Sequence, residues 1–186
     1  MALMTTPVCE FGKPAIDFAL PGVDEKIWTL ADCRGSKGLL LMFICNHCPY
    51  VKAIWHNLLR DINALHALGI NTVAIMSNDP TDYPEDSFSN MQLIAQEKQF
   101  SFPYLLDATQ EVAKAYGAIC TPDFFGYNEQ LTLQYRGRFD ASGKQAQQTT
   151  APSDLYRAMT MIAETDQGPQ TQIPSMGCSI KWKQDE

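Results

Sequence analysis

Apolar positions along the chain follow several distinct rhythms. The run Leu39-Leu40-Leu41-Met42-Phe43-Ile44 is unbroken and short, as in a strand buried on both faces. From Val51 the apolar residues recur at 51, 54, 55, 58, 62 and 65. Offsets of three and four predict a helix with one buried face, ending near Gly69. Thr72 to Met76 predicts a second buried strand. Residues 78–87 hold Pro80, Pro84 and the acids Asp79, Asp82, Glu85 and Asp86, which predicts a solvated loop. Helical spacing returns over 88–99. A short strand is predicted at 103–106, then a helix over 109–116 stopped by Gly117. Phe124–Tyr127 and Leu131–Tyr135 flank Asn128-Glu129-Gln130 and predict an antiparallel hairpin. A polar loop covers 140–151, and Pro152 and Ser153 open a last helix ending near Glu164. Ahead of all this, Ile16–Leu20 and Lys26–Thr29 alternate around Pro21 and Gly22, which predicts a small extended pair.

The order is thus β-α-β-α-β-α-β-β-α with a β pair in front. Alternating strands and helices predict an α/β fold, its central sheet holding parallel strands with helices on both faces. A domain is expected over 1–164. Residues 165–186, with two prolines, two glycines and few apolar positions, are expected to be a C-terminal tail.

Length and charge narrow the function. The 186 residues suit one domain with room for an insertion. Fourteen basic against 21 acidic residues give a net charge of −7, so a nucleic-acid partner is not expected. No apolar run is long enough to span a bilayer, and no leader pattern precedes Lys13, so the expectation is a cytoplasmic protein with no membrane partner. There is no glycine-rich phosphate loop, and no organic or metal cofactor is expected. Six cysteines could suggest three disulfides. In a reducing compartment, closely spaced cysteines more often mean redox catalysis or metal binding.

The chemistry concentrates in Cys45-Asn46-His47-Cys48-Pro49. Two cysteines three positions apart sit where a buried strand meets a helix. Pro49 restricts the helix start, because proline is tolerated only in the first turn. A start at 46–48 is expected, with Cys45 at or near the N-cap. Free N–H groups and the positive helix end would then favour the Cys45 thiolate, making Cys45 the attacking sulfur and Cys48 the resolving one. A protonated His47 between them would add to this effect. Downstream, Cys120-Thr121-Pro122-Asp123-Phe124 holds a candidate cis-proline turn just before the hairpin.

Strand, CxxC, helix, then X-Pro, hairpin and helix: this arrangement resembles the thioredoxin superfamily. The resemblance implies a thioredoxin-like fold, with a central mixed sheet flanked by helices. It also implies that Thr121 and Pro122 pack against the CxxC and pair with the substrate chain. The 77 residues from Cys45 to Pro122 leave room for an α-β insertion over 88–106, as in the alkyl hydroperoxide reductase/thiol-specific antioxidant (redoxin) branch. Pro14-Ala15-Ile16-Asp17-Phe18-Ala19-Leu20-Pro21 is similar to that branch's N-terminal β extension. Phe43 to Tyr50, Thr121 to Phe125 and Gly177 to Lys183 resemble a thioredoxin-like subgroup with a CNHCP motif.

The implied activity is thiol–disulfide exchange by a Cys45/Cys48 pair on a protein or small-molecule disulfide, with electrons from a thiol reductant system. A peroxiredoxin-like thiol peroxidase acting on hydroperoxides is the alternative. Yet the proline and hydroxyl positions that precede a peroxidatic cysteine are Leu41 and Cys45 when counted from Cys48, and Gly38 and Met42 when counted from Cys45. A third reading is a non-enzymatic metal-binding or redox-sensing module. Zinc commonly takes two CxxC pairs or a CxxC with paired histidines, whereas here there is one CxxC and Cys120 and Cys178 are single; a copper site of CxxxC with a later histidine is also unsupported, since no histidine follows His66. Cys120 is either a second resolving or ligand cysteine or a small buried side chain. Cys178 either reaches the site or sits in a tail strand with Ile180 and Trp182. Cys9 and Cys33 read as inert thiols, and His56 and His66 as solvated helix residues.

Overall fold

A computed structural model describes residues 2–145 and 148–184 of the protein. Met1, residues 146–147 of the expected 140–151 loop and residues 185–186 of the expected tail lie outside them. In chain order the elements begin with strand β1 (Leu3–Thr5), the pair β2 (Ala19–Pro21) and β3 (Ile27–Thr29), and a one-turn helix α1 (Leu30–Cys33). Then come β4 (Gly38–Phe43), α2 (Pro49–Ala67), β5 (Ile70–Met76), α3 (Phe88–Glu97), β6 (Tyr104–Leu106) and α4 (Glu111–Tyr116). The chain continues through β7 (Cys120–Thr121), β8 (Asp123–Asn128), β9 (Leu133–Tyr135), α5 (Asp154–Thr165) and β10 (Met176–Ser179).

A five-stranded mixed sheet runs β6-β5-β4-β8-β9. β4 lies at its centre, parallel to β5 and antiparallel to β8, which explains its unbroken apolar sequence. Its alternate residues feed two cores. Leu40 and Met42 pack with the buried faces of α2, α3 and α5, and Leu39, Leu41 and Phe43 pack with α1 and α4. The six apolar positions that predicted α2 are all buried in the first of these cores. Gly117 ends α4 at φ 65°, a left-handed conformation that glycine adopts without strain. Ser153 caps α5, its hydroxyl accepting from Tyr156 N–H at 2.9 Å. The hairpins β2–β3 and β8–β9 form where expected. No helix among the described residues is long and apolar enough to cross a membrane.

One part differs in placement from the expectation. The 165–186 segment is expected as a tail, yet it supplies β10, the middle strand of a second sheet ordered β1-β10-β7. Cys178 pairs with Thr121 and Ser179 with Cys120, while Leu3 to Thr5 cover the other edge. Leu3, Met4 and Met176 are exposed, while Cys120, Cys178 and the following Ile180 are buried, so backbone pairing and a few buried side chains together hold this sheet. Beyond β10 the chain stays tied down, with Lys181 N–H donating to Asn78 Oδ1 at 2.9 Å.

Candidate functional site

The CxxC lies between the end of β4 and the start of α2. The helix begins at Pro49, and Cys48, with extended φ and ψ of −64° and 121°, is its N-cap. This corrects the expected start at 46–48 with Cys45 as cap. Proline occupies N1, where its missing N–H costs nothing, so the cap falls on the residue just before it. The helix therefore aims its positive end at the Cys48 sulfur rather than at Cys45.

Three sulfurs converge on the Thr121-Pro122 turn, whose peptide bond is cis. Cys48 Sγ is 3.1 Å from Thr121 O and 3.1 Å from Cys178 Sγ. Cys45 Sγ lies 3.3 Å from Thr121 Oγ1 and hydrogen-bonds with Cys48. Cys45 and Cys48 are both 0% exposed and Cys178 is 4% exposed, so all three sulfurs are shut off from solvent in this conformation. Their environments separate them. The hydrogen bond from the Cys45 thiol, assisted by Thr121, Cys178 and Val51 N–H, draws the Cys48 thiol down to about 5 against burial that opposes it. Cys45 moves the other way, raised by its bond to Cys48, by burial and by the charge of Asp86. Burial and the hydrogen bond to Cys48 push Cys178 up to about 12. As a thiolate, Cys48 would accept hydrogen bonds from the Cys45 and Cys178 thiols. When Cys48 is protonated, Thr121 O accepts from it instead.

The other cysteines lie outside this cluster of contacts. Cys120 Sγ is buried 3.6 Å from Pro122 O, and its thiol is pushed far up by burial. Cys33 packs in the second core, and Cys9 is half-buried beside it. Burial raises both thiols, Cys9 to about 11 and Cys33 to about 12.

His47 is buried, its ring held by a residue that periodicity does not reveal. Asp86 belongs to the acidic run expected as a solvated loop. Asp82 and Glu85 are indeed exposed, but Asp86 is 0% exposed. A 3-10 turn, Pro84–Asp86, brings its carboxylate beneath the CxxC. There it accepts from Asn46 N–H at 2.8 Å, His47 N–H at 3.2 Å, Asn78 Nδ2 at 2.8 Å and His47 Nδ1 at 2.6 Å. These bonds hold the carboxyl below the usual carboxylate range although burial opposes them. Tyr83 stacks on the imidazole with centroids 4.3 Å apart. His47 Nδ1 lies 3.6 Å from Cys45 Sγ. Asn46 is fixed as well, since Tyr104 OH donates to its Oδ1 at 2.9 Å and its Nδ2 donates to Glu85 O at 2.8 Å. Cys45, His47 and Asp86 place potential metal-ligand atoms within 4.8 Å of one another. A cation there would first have to break the 2.6 Å His47–Asp86 bond. His56 and His66 are exposed on α2, as expected.

Pro122 also borders an apolar cleft of about 230 Å³, walled by Tyr50, Ile54, Phe139, Ile173 and Met176. No cysteine lines it among the described residues. The sequence signals therefore bring Cys45, His47, Cys48, Thr121, Pro122 and Cys178 to one place and leave Cys120 just behind the turn.

Comparison with known proteins agrees with this architecture. A crystal structure of an uncharacterized conserved protein from Geobacillus kaustophilus is 42% identical, covers 100% of this chain and 99% of its own, and superposes with a TM-score of 0.94. A hypothetical protein from Sinorhizobium meliloti 1021 is 37% identical over 96% of this chain and 97% of its own, with a TM-score of 0.90. A thioredoxin-family thiol:disulfide interchange protein from Chlorobium tepidum shares the fold at 17% identity, covering 82% of this chain and 96% of its own, with a TM-score of 0.60. No curated protein sequence matches. The sequence profile of the AhpC/TSA family matches residues 11–142, and the chain belongs to that family, in the redoxin branch of the thioredoxin-like superfamily.

Proposed function

We propose that the protein is a thiol–disulfide oxidoreductase in which Cys48 attacks and Cys45 closes the ring. Membership of the AhpC/TSA family supports an oxidoreductase role in general. The observation that carries the finer reading is the N-cap position of Cys48, with its thiol lowered to about 5 beside a Cys45 thiol held high. This arrangement exchanges the two roles expected from the sequence.

The Cys48 thiolate attacks a sulfur of R–S–S–R′. A Cys48–S–S–R bond forms, the R–S–S–R′ bond breaks, and R′S⁻ leaves as a thiolate. Cys45 then loses its proton and attacks the Cys48 sulfur, forming Cys45–S–S–Cys48 and releasing RS⁻. The two electrons gained by the substrate come from the dithiol, and an external thiol system restores it. The Cys45 proton goes to a departing thiolate, and the His47 ring, held by Nδ1 donating to Asp86 at 2.6 Å, lies 3.6 Å from Cys45 Sγ and helps to position that sulfur. The cleft at Pro122 offers an apolar bed for the substrate's flanks. A reducing compartment such as the cytoplasm would keep the pair in its dithiol form.

The test compares disulfide reduction and hydroperoxide consumption by the wild type, Cys48→Ser and Cys45→Ser. Disulfide turnover should vanish in both variants, and only Cys45→Ser should still form a mixed disulfide with substrate. Fast hydroperoxide turnover with slow disulfide exchange would favour the peroxidase reading instead. Stoichiometric zinc with unreactive thiols would exclude both.

A further inference from the structure

We propose that Cys178 is a third redox thiol, which displaces substrate from Cys48 and forms a Cys48–Cys178 disulfide bolting β10 to the site. The inference rests on the reading above, in which Cys48 is the attacking sulfur. Three observations carry it. The two sulfurs are 3.1 Å apart, about 1 Å beyond the ~2.05 Å length of a disulfide. The strand that bears Cys178 is held in register, Cys178 opposite Thr121, so the approach is built into the backbone ladder. Gly177 permits it, since a Cβ there would stand 2.1 Å from Thr121 O. The strand β10 also lies along β7, the edge that ends at the Thr121-Pro122 turn, and leaves no thiol of the cluster in contact with solvent. Cys178 is therefore presented to Cys48 on an extended strand, in the manner of an internal substrate.

The step balances as an exchange. The Cys178 thiol loses its proton and its sulfur attacks Cys48–S–S–R. The Cys48–R bond breaks, the Cys48–Cys178 bond forms, and RS⁻ leaves, taking up the proton. Cys178 is a neutral donor while Cys48 is a thiolate, and that restraint disappears once Cys48 is in a mixed disulfide. Lys181 and Lys144 then favour its ionisation. Cys45 can next attack the same Cys48 sulfur, forming Cys45–Cys48 and returning Cys178 to the thiol. Cys48 becomes the shared centre of a three-sulfur relay, with β10 fastened in one of its two oxidised forms.

The test uses the full chain, reduced and then exposed to an aromatic disulfide that leaves a coloured thiolate. Wild type, Cys45→Ser and Cys45→Ser/Cys178→Ser are compared by peptide mapping in the mass spectrometer and by the lifetime of the Cys48–probe adduct. The Cys45→Ser protein should yield a Cys48–Cys178 linked peptide, and its adduct should decay at least ten-fold faster than in the double variant. Equal lifetimes, with no linked peptide, overturn the proposal. If the wild type forms Cys45–Cys48 while Cys45→Ser holds the probe indefinitely, only the role of Cys178 falls. If Cys48 takes up no probe in any variant, the function proposed above falls with it. Circular dichroism checks that each variant folds, and Cys45→Ala replaces a Cys45→Ser protein that does not.

Discussion

Removing the Asp86 carboxylate tests whether the loop before α3 is part of the redox site or only passes near it. Asp86→Ala strands four buried donors: the N–H groups of Asn46 and His47, the ring nitrogen Nδ1 of His47 and the amide of Asn78. A buried donor left without its acceptor costs about 1–3 kcal/mol. The truncation leaves room for some relaxation, so the lower end applies to each, and the sum is about 4 kcal/mol. At ~2–4 °C per kcal/mol for a protein of this size, Tm should fall by about 8–16 °C. Asp86→Asn keeps one oxygen for the two backbone donors but presents an amide to two other donors, so it should lose roughly half as much. The assay is thermal unfolding of the reduced protein, followed by far-ultraviolet circular dichroism. A drop below about 3 °C for Asp86→Ala would refute the reasoning, as would Asp86→Asn being the worse of the two. Both variants should also lower the pKa of Cys45, because the Asp86 charge is one cause of its elevation.

The pH dependence of the thiols gives a second prediction. Cys48 is depressed from 9.0 to about 5, so ultraviolet thiolate absorbance from this residue should be fully present near neutrality and be lost as pH falls through about 5. Cys45→Ala removes the largest cause, and the midpoint should move upward; an unchanged midpoint would contradict the assignment. Gly177→Ala forces a Cβ against Thr121 O, a backbone atom that cannot step aside, and should lift β10 at a cost of about 1–3 kcal/mol. Native-state labelling of Cys48 and Cys178 should then speed up by an order of magnitude or more, and an unaltered rate would count against the strand as cover. Tyr104→Phe leaves Asn46 Oδ1 without its buried donor and should cost about 1–2 kcal/mol, read from the urea midpoint. A midpoint equal to the wild type's would show that Asn46 needs no such support.

The five-stranded sheet and its helices were legible because burial leaves a periodic trace. Val51, Ile54, Trp55, Leu58, Ile62 and Leu65 declare α2, and the uninterrupted residues of β4 declare a strand with both faces covered. The cysteine pair was legible from spacing, and Pro122 from its neighbours. The start of α2 was resolved only to within a turn, because proline is tolerated at any position of the first turn, and Pro49 at N1 puts Cys48 rather than Cys45 at the N-cap. Asp86 left no trace, since a carboxylate buried for its backbone and imidazole donors looks like any acid in a proline-rich loop. A tail strand bearing Cys178 was one of two readings, but its place in a sheet was not legible. Its partners are backbone groups of Thr121 and Cys120 on one side and of Leu3 to Thr5 on the other, and its side chains do not alternate.

That strand has a kinetic consequence. With Cys48 buried against Cys178 of β10, an external disulfide attacked by Cys48 would react only after β10 leaves β7, and β10 is held on its far side by three residues whose side chains are all exposed. Such an edge belongs to the least protected class of structure in a folded protein. Substrate turnover would then be set by a sub-global opening equilibrium rather than by collision with a standing pocket. The amide protons of 176–179 should exchange at the rate at which the thiols become reactive, and a dilute denaturant, far from unfolding the central sheet, should accelerate both together.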